Sequence, residues 1–423
     1  MRDRSVSAWV AWLLAVLFYF YQYALRAAPA VMMSQLSEAF GLSVVGVAAL
    51  AGIFYYGYAP FSLVAGSAID RMGAKGVIPA GALMTGAGSI LFAVGIVPAA
   101  NLGRFLQGAG GVFALVGAVY IASRYFPASR AATLIGATQM FGMAGGSAGQ
   151  FLVGPLIARG LSWRSFWIST GILGVVMAIA LFVFLPPERK AVSQQEQAVS
   201  QRSGGLRKVL TALGVIFRNP QSILCGLIGG LLFMPTTILG MTWGVRFLQE
   251  GYGFDYGEAV MRSAMVPLGW IIGCPLLGML SDKLGRRKPV IIVGAGGLFL
   301  CLAWILYGRP DAIPPYIIGL AAGFASGAAM LPYTVIKELN PPELSGTATG
   351  VLSFLIFTFS ALLGPVFGRI LQTVSGGAEM RLEHYQTTFQ PMLYGVGISV
   401  LLTLMLKETG STVRVALGRL KIA

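Results

Sequence analysis

Apolar segments of about 20 residues recur along the whole 423-residue chain, with short polar stretches between them. A helix of that length crosses the roughly 30 Å hydrocarbon core of a bilayer. Hydrophobic residues make up 56% of the sequence and charged residues only 11%, which is too few charges to solvate a soluble protein of this size. The sequence therefore predicts an all-α integral membrane protein.

Twelve transmembrane helices are predicted, six in each half of the chain. A polar stretch without hydrophobic period, ERKAVSQQEQAVSQRSGG, separates the sixth from the seventh. It divides the chain into an N-terminal bundle at 1–187, a cytoplasmic linker with a surface helix at 188–220, and a C-terminal bundle at 221–423. The predicted spans are 8–34, 44–69, 77–97, 101–123, 131–157, 164–186, 221–247, 258–281, 289–307, 314–337, 346–372 and 389–406.

The 30 Lys and Arg residues are concentrated in alternate loops, which by the positive-inside rule places both termini in the cytoplasm. This distribution reflects membrane topology, so no nucleic-acid partner is expected. Short loops and the absence of an organellar targeting segment favour a bacterial inner membrane. The three cysteines lie inside spans and the single histidine lies in a polar loop, so no metal site or cofactor is expected. We expect a monomer.

The two halves carry related loop sequences. GSAIDRMGAK closes the second span of the first half, and GMLSDKLGRR closes the second span of the second half. Because six spans separate the copies, both halves have the same orientation in the membrane. The pairs Gly66 and Gly278, Asp70 and Asp282, and Gly73 and Gly285 are each 212 residues apart, and 127–136 matches 341–350 at an offset of 214.

GSAIDRMGAK resembles the loop signature of the major facilitator superfamily, G-x-x-x-D-R-x-G-R-R, with Ala74 in place of the first loop arginine. RFLQGAGG, from Arg104, resembles the fourth-helix pattern of that family. The resemblance covers the whole chain. It implies two pseudo-symmetric six-helix bundles around a central cavity that opens alternately to each side.

The paired loops also suggest how the bundles meet. Gly66 and Gly278 have no side chains, so we expect a neighbouring helix to approach closely there. Asp70 and Asp282 are expected to accept hydrogen bonds from a helix N-terminus in the opposite half. The resemblance implies that such contacts hold an outward-facing state; alternatively, the loops only set topology. The gating candidates are Gly66, Asp70, Arg71, Gly73, Asp282 and Gly285.

A polar stripe lies on the first span. Tyr19, Gln22, Tyr23 and Arg26 fall at i, i+3, i+4 and i+7, which places them on one helix face. Holding an arginine near the middle of the membrane costs at least ~2.5–3.5 kcal/mol, so this face must look into a cavity or another helix. None of the 15 acidic residues is expected deep in a span. Arg26 therefore has no predicted carboxylate partner at its own depth.

Three interpretations of Arg26 remain. In the first, Arg26 binds an anionic substrate, with tyrosine and glutamine as further donors. In the second, its side chain extends to the outer face of the membrane and pairs with Glu38. In the third, it donates hydrogen bonds to the carbonyls of a helix that is broken near Pro29. Similar first-helix arginines occur in organophosphate and organic-anion transporters of the superfamily. The resemblance implies that phosphate-ester transporters of the superfamily carry a second arginine on the seventh helix. This chain has Ile238 at the repeat-equivalent position, which favours a carboxylate over a phosphate ester.

Further binding candidates lie on spans that the resemblance places at the centre, although each also fits plain packing, and Trp243 fits an interface anchor. Arg104 lies near the outer end of the fourth span. It is either an exposed side chain or, as the resemblance implies, a residue that couples transport to its driving force. The remaining candidates are Tyr55, Tyr58, Tyr120, Gln139, Thr236, Thr237, Trp243, Trp270 and Tyr333.

Together these features predict a secondary transporter of a small organic anion, coupled to proton symport or anion exchange. An enzyme would need a nucleophile with its base, or metal ligands, at membrane depth, and no such set is found in the sequence. The alternative is proton-coupled efflux of drugs or other metabolites. That class would be expected to carry a membrane-embedded carboxylate. A sensor that does not transport is a further alternative.

Overall fold

The computed structural model describes residues 2–185, 205–314, 316–376 and 378–410, and these parts consist of helices joined by short connections. Residues 188–204 of the predicted linker lie outside the described residues, whereas the predicted surface helix forms at Gly205–Arg218. The first half contains α1 (Arg2–Ala27), α2 (Val44–Met72), α3 (Ala74–Ala93), α4 (Val97–Tyr125), α5 (Ala128–Phe151) and α6 (Trp163–Phe184). The second half contains α7 (Pro220–Met234 with its continuation to Gly251), α8 (Tyr256–Leu284), α9 (Lys288–Tyr307), α10 (Ile317–Ser326 with its continuation to Glu338), α11 (Ser345–Ser375) and α12 (Leu382–Met405).

In the described residues, eleven helices are long and apolar enough to cross a membrane. The helix outside that set is α5, whose glutamines and many glycines lower its mean hydropathy. It lies between α1 and α8, inside the helix assembly. The predicted fold class, an all-α membrane protein of twelve transmembrane helices, is confirmed.

Two equivalent contacts join the halves. α2 packs against α11, and α5 packs against α8. In each contact the second helix of one half therefore packs against the fifth helix of the other half. Within the halves, α3 packs on α4 and α6, while α9 packs on α10 and α12. We call the side where α1 begins and α12 ends the terminal face, and the opposite side the distal face. Side chains such as Ile172 and Ile179 of α6 are exposed, as expected for a lipid-facing surface.

Three central helices depart from regular α-geometry. α1 ends at Ala27 and continues as a 3₁₀ turn over Ala28–Val31, because Pro29 has no amide hydrogen with which to extend the helix. α7 becomes a π-helix over Pro235–Trp243, and α10 contains a 3₁₀ turn over Gly327–Met330. Such irregular turns are frequent at functional sites.

Glycines bring α5 against α1. A Cβ at Gly145 would lie 2.0 Å from the carbonyl oxygen of Phe20, and one at Gly149 would lie 2.4 Å from that of Ala24. Only a residue without a side chain fits at that spacing. This close approach fixes the position of the first helix, and with it the polar stripe.

The expectation that Gly66 and Gly278 allow a close helix approach is wrong. Among the described residues, a Cβ at either position would meet nothing within 4 Å. One turn before Gly66, α2 does meet α11, where the Ser62 hydroxyl donates to the carbonyl of Gly350 at 3.3 Å. The close contact of α2 with the other half is therefore made at Ser62 and not at Gly66.

The later glycines of the paired loops end their helices. Gly73 follows α2 with a φ of 81°, and Gly285 follows α8 with a φ of 60°. Residues with a side chain rarely adopt these backbone angles. The repeated glycine therefore has a local role as a helix terminator, whatever its part in gating.

Asp282 does not reach the opposite half within the described structure, contrary to expectation. Its carboxylate pairs with Arg287 of its own half, and that guanidinium also contacts Glu338 at 3.0 Å. Burial by itself would lower the pKa of Arg287, but the hydrogen bonds to Glu338 and Asp282 raise that pKa above its usual value. Asp282 is thus satisfied locally. The side chains of Asp70 and Arg71 lie outside what the structure describes.

Candidate functional site

A cavity of about 370 Å³ lies between the two halves, near the middle of the helices. α1, α2, α4 and α5 line it from one half, and α7, α8, α10 and α11 line it from the other. The lining residues are Tyr19, Tyr23, Tyr58, Leu115, Gln139, Met143, Phe233, Trp270, Ala329, Met330, Tyr333, Ile356 and Phe357.

Six predicted binding residues meet at this cavity, namely Tyr19, Tyr23, Tyr58, Gln139, Trp270 and Tyr333. Several of them are held by hydrogen bonds. The Tyr19 hydroxyl donates to Oε1 of Gln139 at 2.9 Å, and the Tyr333 hydroxyl lies 3.0 Å from the Ser353 hydroxyl. These bonds fix the orientation of polar groups contributed by different helices.

Thr236 and Thr237 are buried within the second half and do not line the described cavity. The Thr236 hydroxyl accepts from Nε1 of Trp270 at 3.1 Å and lies 2.9 Å from the Ser326 hydroxyl. The Thr237 hydroxyl lies 3.0 Å from that of Ser360. In this structure the two threonines support the walls of the cavity and are not part of its surface.

Trp243 and Tyr120 also lie away from the surface of the described cavity. Trp243 is 1% exposed, so it does not anchor the protein at a membrane interface. The reason is that it ends the π-helical part of α7, which faces other helices. Tyr120 is half-buried on α4.

Arg26 is 4% exposed and is surrounded by aromatic rings. Each cation–π contact with a buried ring contributes roughly 0.5–2 kcal/mol, so the rings together offset much of the cost of burying the charge. One of the rings belongs to the opposite half of the protein. The guanidinium carbon lies 4.0 Å from the ring centre of Tyr23, 4.7 Å from Phe54, 5.6 Å from Tyr55, 5.0 Å from Tyr58 and 5.0 Å from Phe357.

The nitrogen atoms of Arg26 are poorly satisfied. Nη2 donates to Oε1 of Gln22 over a long 3.4 Å, and within the described residues Nε and Nη1 are buried without a hydrogen-bond partner. A ring face compensates positive charge but leaves N–H donors without acceptors, each at a cost of about 1–3 kcal/mol. Burial excludes snorkelling toward Glu38, and in the described structure no carbonyl near Pro29 accepts from Arg26.

Arg104 shows how a structural arginine is accommodated in the same half. It is 1% exposed, which rules out an exposed side chain, one of the two interpretations that the sequence leaves open for it. Nε and Nη2 donate to the carbonyl of Ala51 at 3.2 and 2.9 Å. Nη1 donates to the carbonyl of Leu25 at 3.1 Å and to Oε1 of Gln107 at 2.7 Å. All three of its nitrogens have acceptors, in contrast to those of Arg26.

The break in α1 explains one of these acceptors. In a continuous helix the carbonyl of Leu25 would accept from the amide four residues later, which belongs to Pro29 and carries no hydrogen. Arg104 supplies the missing donor. One interpretation of Arg26 is a hydrogen bond to a carbonyl near this break. In the structure the arginine that donates such a bond is Arg104.

Two other arginines, near the ends of spans, are paired with carboxylates one turn away. Arg262 contacts Glu258 at 2.7 Å, and Arg246 pairs with Glu250. Glu250 lies in the last π-helical turn of α7, and its carboxylate also accepts from the Tyr385 hydroxyl at 2.5 Å. These charges lie toward the distal face, away from the cavity.

Hydrogen bonds between the halves close the distal face. The Tyr256 hydroxyl donates to the carbonyl of Val31 at 2.5 Å, and Nη2 of Arg246 donates to the Ser34 hydroxyl at 3.2 Å. Deeper in the protein, Nε2 of Gln150 donates to a carbonyl in the π-helical part of α7 at 2.8 Å. A solute at the cavity would have to break these bonds to leave by the distal side.

A second and larger cavity, of about 710 Å³, lies within the second half toward the distal face. Its walls are mostly apolar, and its charged residue, Arg262, is neutralised by Glu258 and covered by the Phe254 ring at 4.1 Å. It touches one half alone. The smaller cavity fits the function of a two-bundle protein better because both halves line it.

Sequence reasoning missed the apolar lining residues. Phe357 is the most informative of them, because its ring contacts the Arg26 guanidinium across the two halves. Phe354 and Phe359 are phenylalanines of the same segment, so no local signal distinguishes Phe357 from them. The missed residues are Leu115, Met143, Phe233, Ala329, Met330, Ile356 and Phe357.

In the described part of the chain, no group of three or more His, Cys, Asp or Glu side chains is arranged to hold a metal ion. A cavity bordered by two equivalent bundles, with one closed face, defines a membrane transporter that works by alternating access.

The sequence pattern of the Major Facilitator Superfamily matches residues 12–365, and the chain belongs to that family. Its members are transporters and not enzymes. The chain is 25% identical over 421 residues to the membrane sensor protein UhpC of Salmonella typhimurium strain LT2, covering 93% of this chain and 89% of that protein. It is 26% identical over 367 residues to the cis,cis-muconate transport protein of Acinetobacter baylyi, covering 80% and 83%.

A solved structure of a bacterial homolog of the human lysosomal transporter Spinster, inward-facing and unoccupied, superimposes with a TM-score of 0.72. The two chains are 18% identical, and the match covers 95% of this chain and 97% of the other. At that identity the likeness establishes the fold. The chain is thus a multi-pass secondary transporter.

Proposed function

We propose that this protein carries a small organic anion, a carboxylate, across the bacterial inner membrane with both termini in the cytoplasm. The observation that carries the proposal is the pair of buried Arg26 nitrogens for which the described residues provide no acceptor. Arg104 supports this interpretation, because the same half satisfies that arginine completely with its own carbonyls. A carboxylate would accept from Nε and Nη1 and would supply the missing counter-charge.

The rest of the site would orient the anion and couple its binding to movement of the halves. Tyr19, Tyr23 and Tyr58 border the cavity from the first half, and Trp270 and Tyr333 border it from the second. A substrate that touches both sides favours closure around itself, which is how binding drives alternating access. Coupling by proton symport or by anion exchange fits this site equally. We further propose that residues 1–187 and 221–423 form the two bundles that move relative to each other, and that the protein is a monomer. The paired loops that follow α2 and α8 are proposed to control this movement.

Relatives support the substrate class at a coarse level. The relative from Acinetobacter baylyi is named for the transport of cis,cis-muconate, an organic dicarboxylate, which supports the class of organic anions and no particular number of charges. Efflux of cationic drugs is disfavoured, because the carboxylates near the spans, such as Glu250 and Glu258, are paired with arginines at the distal end and lie away from the cavity.

The test is substrate binding and uptake by Arg26→Gln, which removes the charge while keeping a polar side chain. Arg309→Gln, at an exposed loop arginine, is the matched control. Each lost charge-assisted hydrogen bond contributes about 1.5–3 kcal/mol, so carboxylate affinity should fall at least about tenfold in the first variant and not in the control. The measurements are ligand-induced shifts of the melting temperature and uptake into proteoliposomes. Unchanged affinity in Arg26→Gln would refute the proposal.

A sensor is the second candidate, favoured only by the name of the relative UhpC. The two functions differ in flux. Carboxylate binding that depends on Arg26 without uptake into proteoliposomes would identify a sensor, whereas uptake that depends on Arg26 identifies the transporter.

A further inference from the structure

We propose that the carried anion is an aromatic monocarboxylate, an inference that rests on the proposed function of Arg26. Three features of the central cavity and its surroundings select among carboxylates: aromatic walls, several wall polar groups that are already paired, and, behind the walls, an arginine with two unpaired donors within the described residues. Each feature excludes a different competing class.

The walls are aromatic on both sides. Seven of the lining residues carry rings, and they come from both halves of the protein. Phe233 lies edge-on to Trp270 at 5.0 Å and to Phe357 at 5.7 Å, and Phe357 lies 4.4 Å from Tyr58. A planar ring gains stacked and edge contacts in such a space beyond its area burial, whereas a saturated ring of equal size gains the area burial alone.

Three polar groups of the walls, from Tyr19, Trp270 and Tyr333, are occupied by hydrogen bonds within the protein. The Tyr19 hydroxyl donates to Gln139, Nε1 of Trp270 donates to a threonine behind the wall, and the Tyr333 hydroxyl is bonded to a serine. A polyhydroxylated acid would bury several hydroxyls without partners or would have to break these bonds. The cavity therefore discriminates against sugar acids.

The charge of the site matches a monoanion. Arg26 has two nitrogens to offer, and the neighbouring Arg104 has none, because carbonyls and Gln107 accept from all of its nitrogens. A second carboxylate on the substrate would be buried without a counter-charge.

Arg26 must move slightly to meet the anion. It is not itself a lining residue, and the rings of Tyr23, Tyr58 and Phe357 both line the cavity and contact its guanidinium. An aromatic acid that displaces one of these rings returns an equivalent π-face to the guanidinium while its carboxylate satisfies the free donors. A saturated or polyhydroxylated acid returns no such face.

The experiment compares five probes on the purified full-length protein by melting temperature and by competition. Benzoate is the aromatic monoanion, cyclohexanecarboxylate has the same charge without a planar ring, gluconate is polyhydroxylated, phthalate is a dianion, and benzamide is neutral. We expect benzoate to bind at least about tenfold more tightly than each of the others. Equal or tighter binding of cyclohexanecarboxylate, gluconate or phthalate would overturn the inference while leaving the anion-carrier proposal intact.

A substitution tests the ring contact directly. Phe357→Leu keeps an apolar side chain and removes the π-face, so benzoate affinity should fall about three- to tenfold and cyclohexanecarboxylate affinity should stay unchanged. Phe61→Leu is the control, since Phe61 pairs with Phe105 and does not line the described cavity. Equal losses for both ligands in Phe357→Leu would contradict a π-specific contact. If no probe binds, or if binding survives in Arg26→Gln, the proposed function itself fails.

Discussion

The hydrogen bond from Arg104 to the carbonyl of Leu25 should depend on the proline at position 29. The carbonyl lacks its helical donor because Pro29 has no amide hydrogen, and Nη1 of Arg104 takes that place at 3.1 Å. Replacing Pro29 with alanine restores the amide. The cost of removing Arg104 should therefore be smaller in the Pro29→Ala background than in the wild type.

The size of this coupling follows from the acceptor that is left without a donor. Arg104→Met in the wild type leaves a buried carbonyl at Leu25 unpaired, which costs about 1–3 kcal/mol. In the Pro29→Ala background the new amide supplies the bond. The loss of the Gln107 and Ala51 contacts and the removal of a buried charge occur equally in both backgrounds, so they cancel in the double-mutant cycle. The expected coupling energy is about 1–3 kcal/mol.

The assay is the free energy of unfolding from detergent titration in mixed micelles for the wild type, both single variants and the double variant. Pro79→Ala is the control, because Pro79 lies inside α3, a helix that contributes no acceptor to Arg104 in the described structure. Its cycle with Arg104→Met should be additive within about 0.5 kcal/mol. Additivity in the Pro29 cycle would refute the argument that Arg104 replaces the missing amide.

Two further predictions concern packing and the distal face. Gly145→Ala should lower stability by about 1–3 kcal/mol, because its Cβ would lie 2.0 Å from a backbone oxygen of α1. Gly66→Ala should be tolerated, because its Cβ meets nothing within 4 Å among the described residues. Equal melting temperatures of the two variants would contradict this. Arg246→Ala breaks a bond between the halves and should populate longer distances between spin labels at the exposed positions Glu38 and Glu379. An unchanged distance distribution would show that this bond does not hold the distal face closed.

The sequence by itself determined the number and order of the helices, the two-fold repeat, and the face shared by Arg26, Gln22 and the tyrosines. These are local properties, set by the length of apolar segments relative to the bilayer and by the helical period of 3.6 residues. The fold class followed from them, and the family followed from the resemblance of GSAIDRMGAK and RFLQGAGG to known motifs. The polar stripe required only that one helix be regular from Tyr19 to Arg26, as the structure has it.

Only the tertiary structure decided which partners these residues meet. It placed Phe357 of the second half over the Arg26 guanidinium, buried Arg104 against carbonyls of two other helices, and left Gly66 without a neighbour. It also paired Asp282 within its own half. Such contacts join residues far apart in the chain, and they depend on how whole helices pack, which no local pattern of residues specifies.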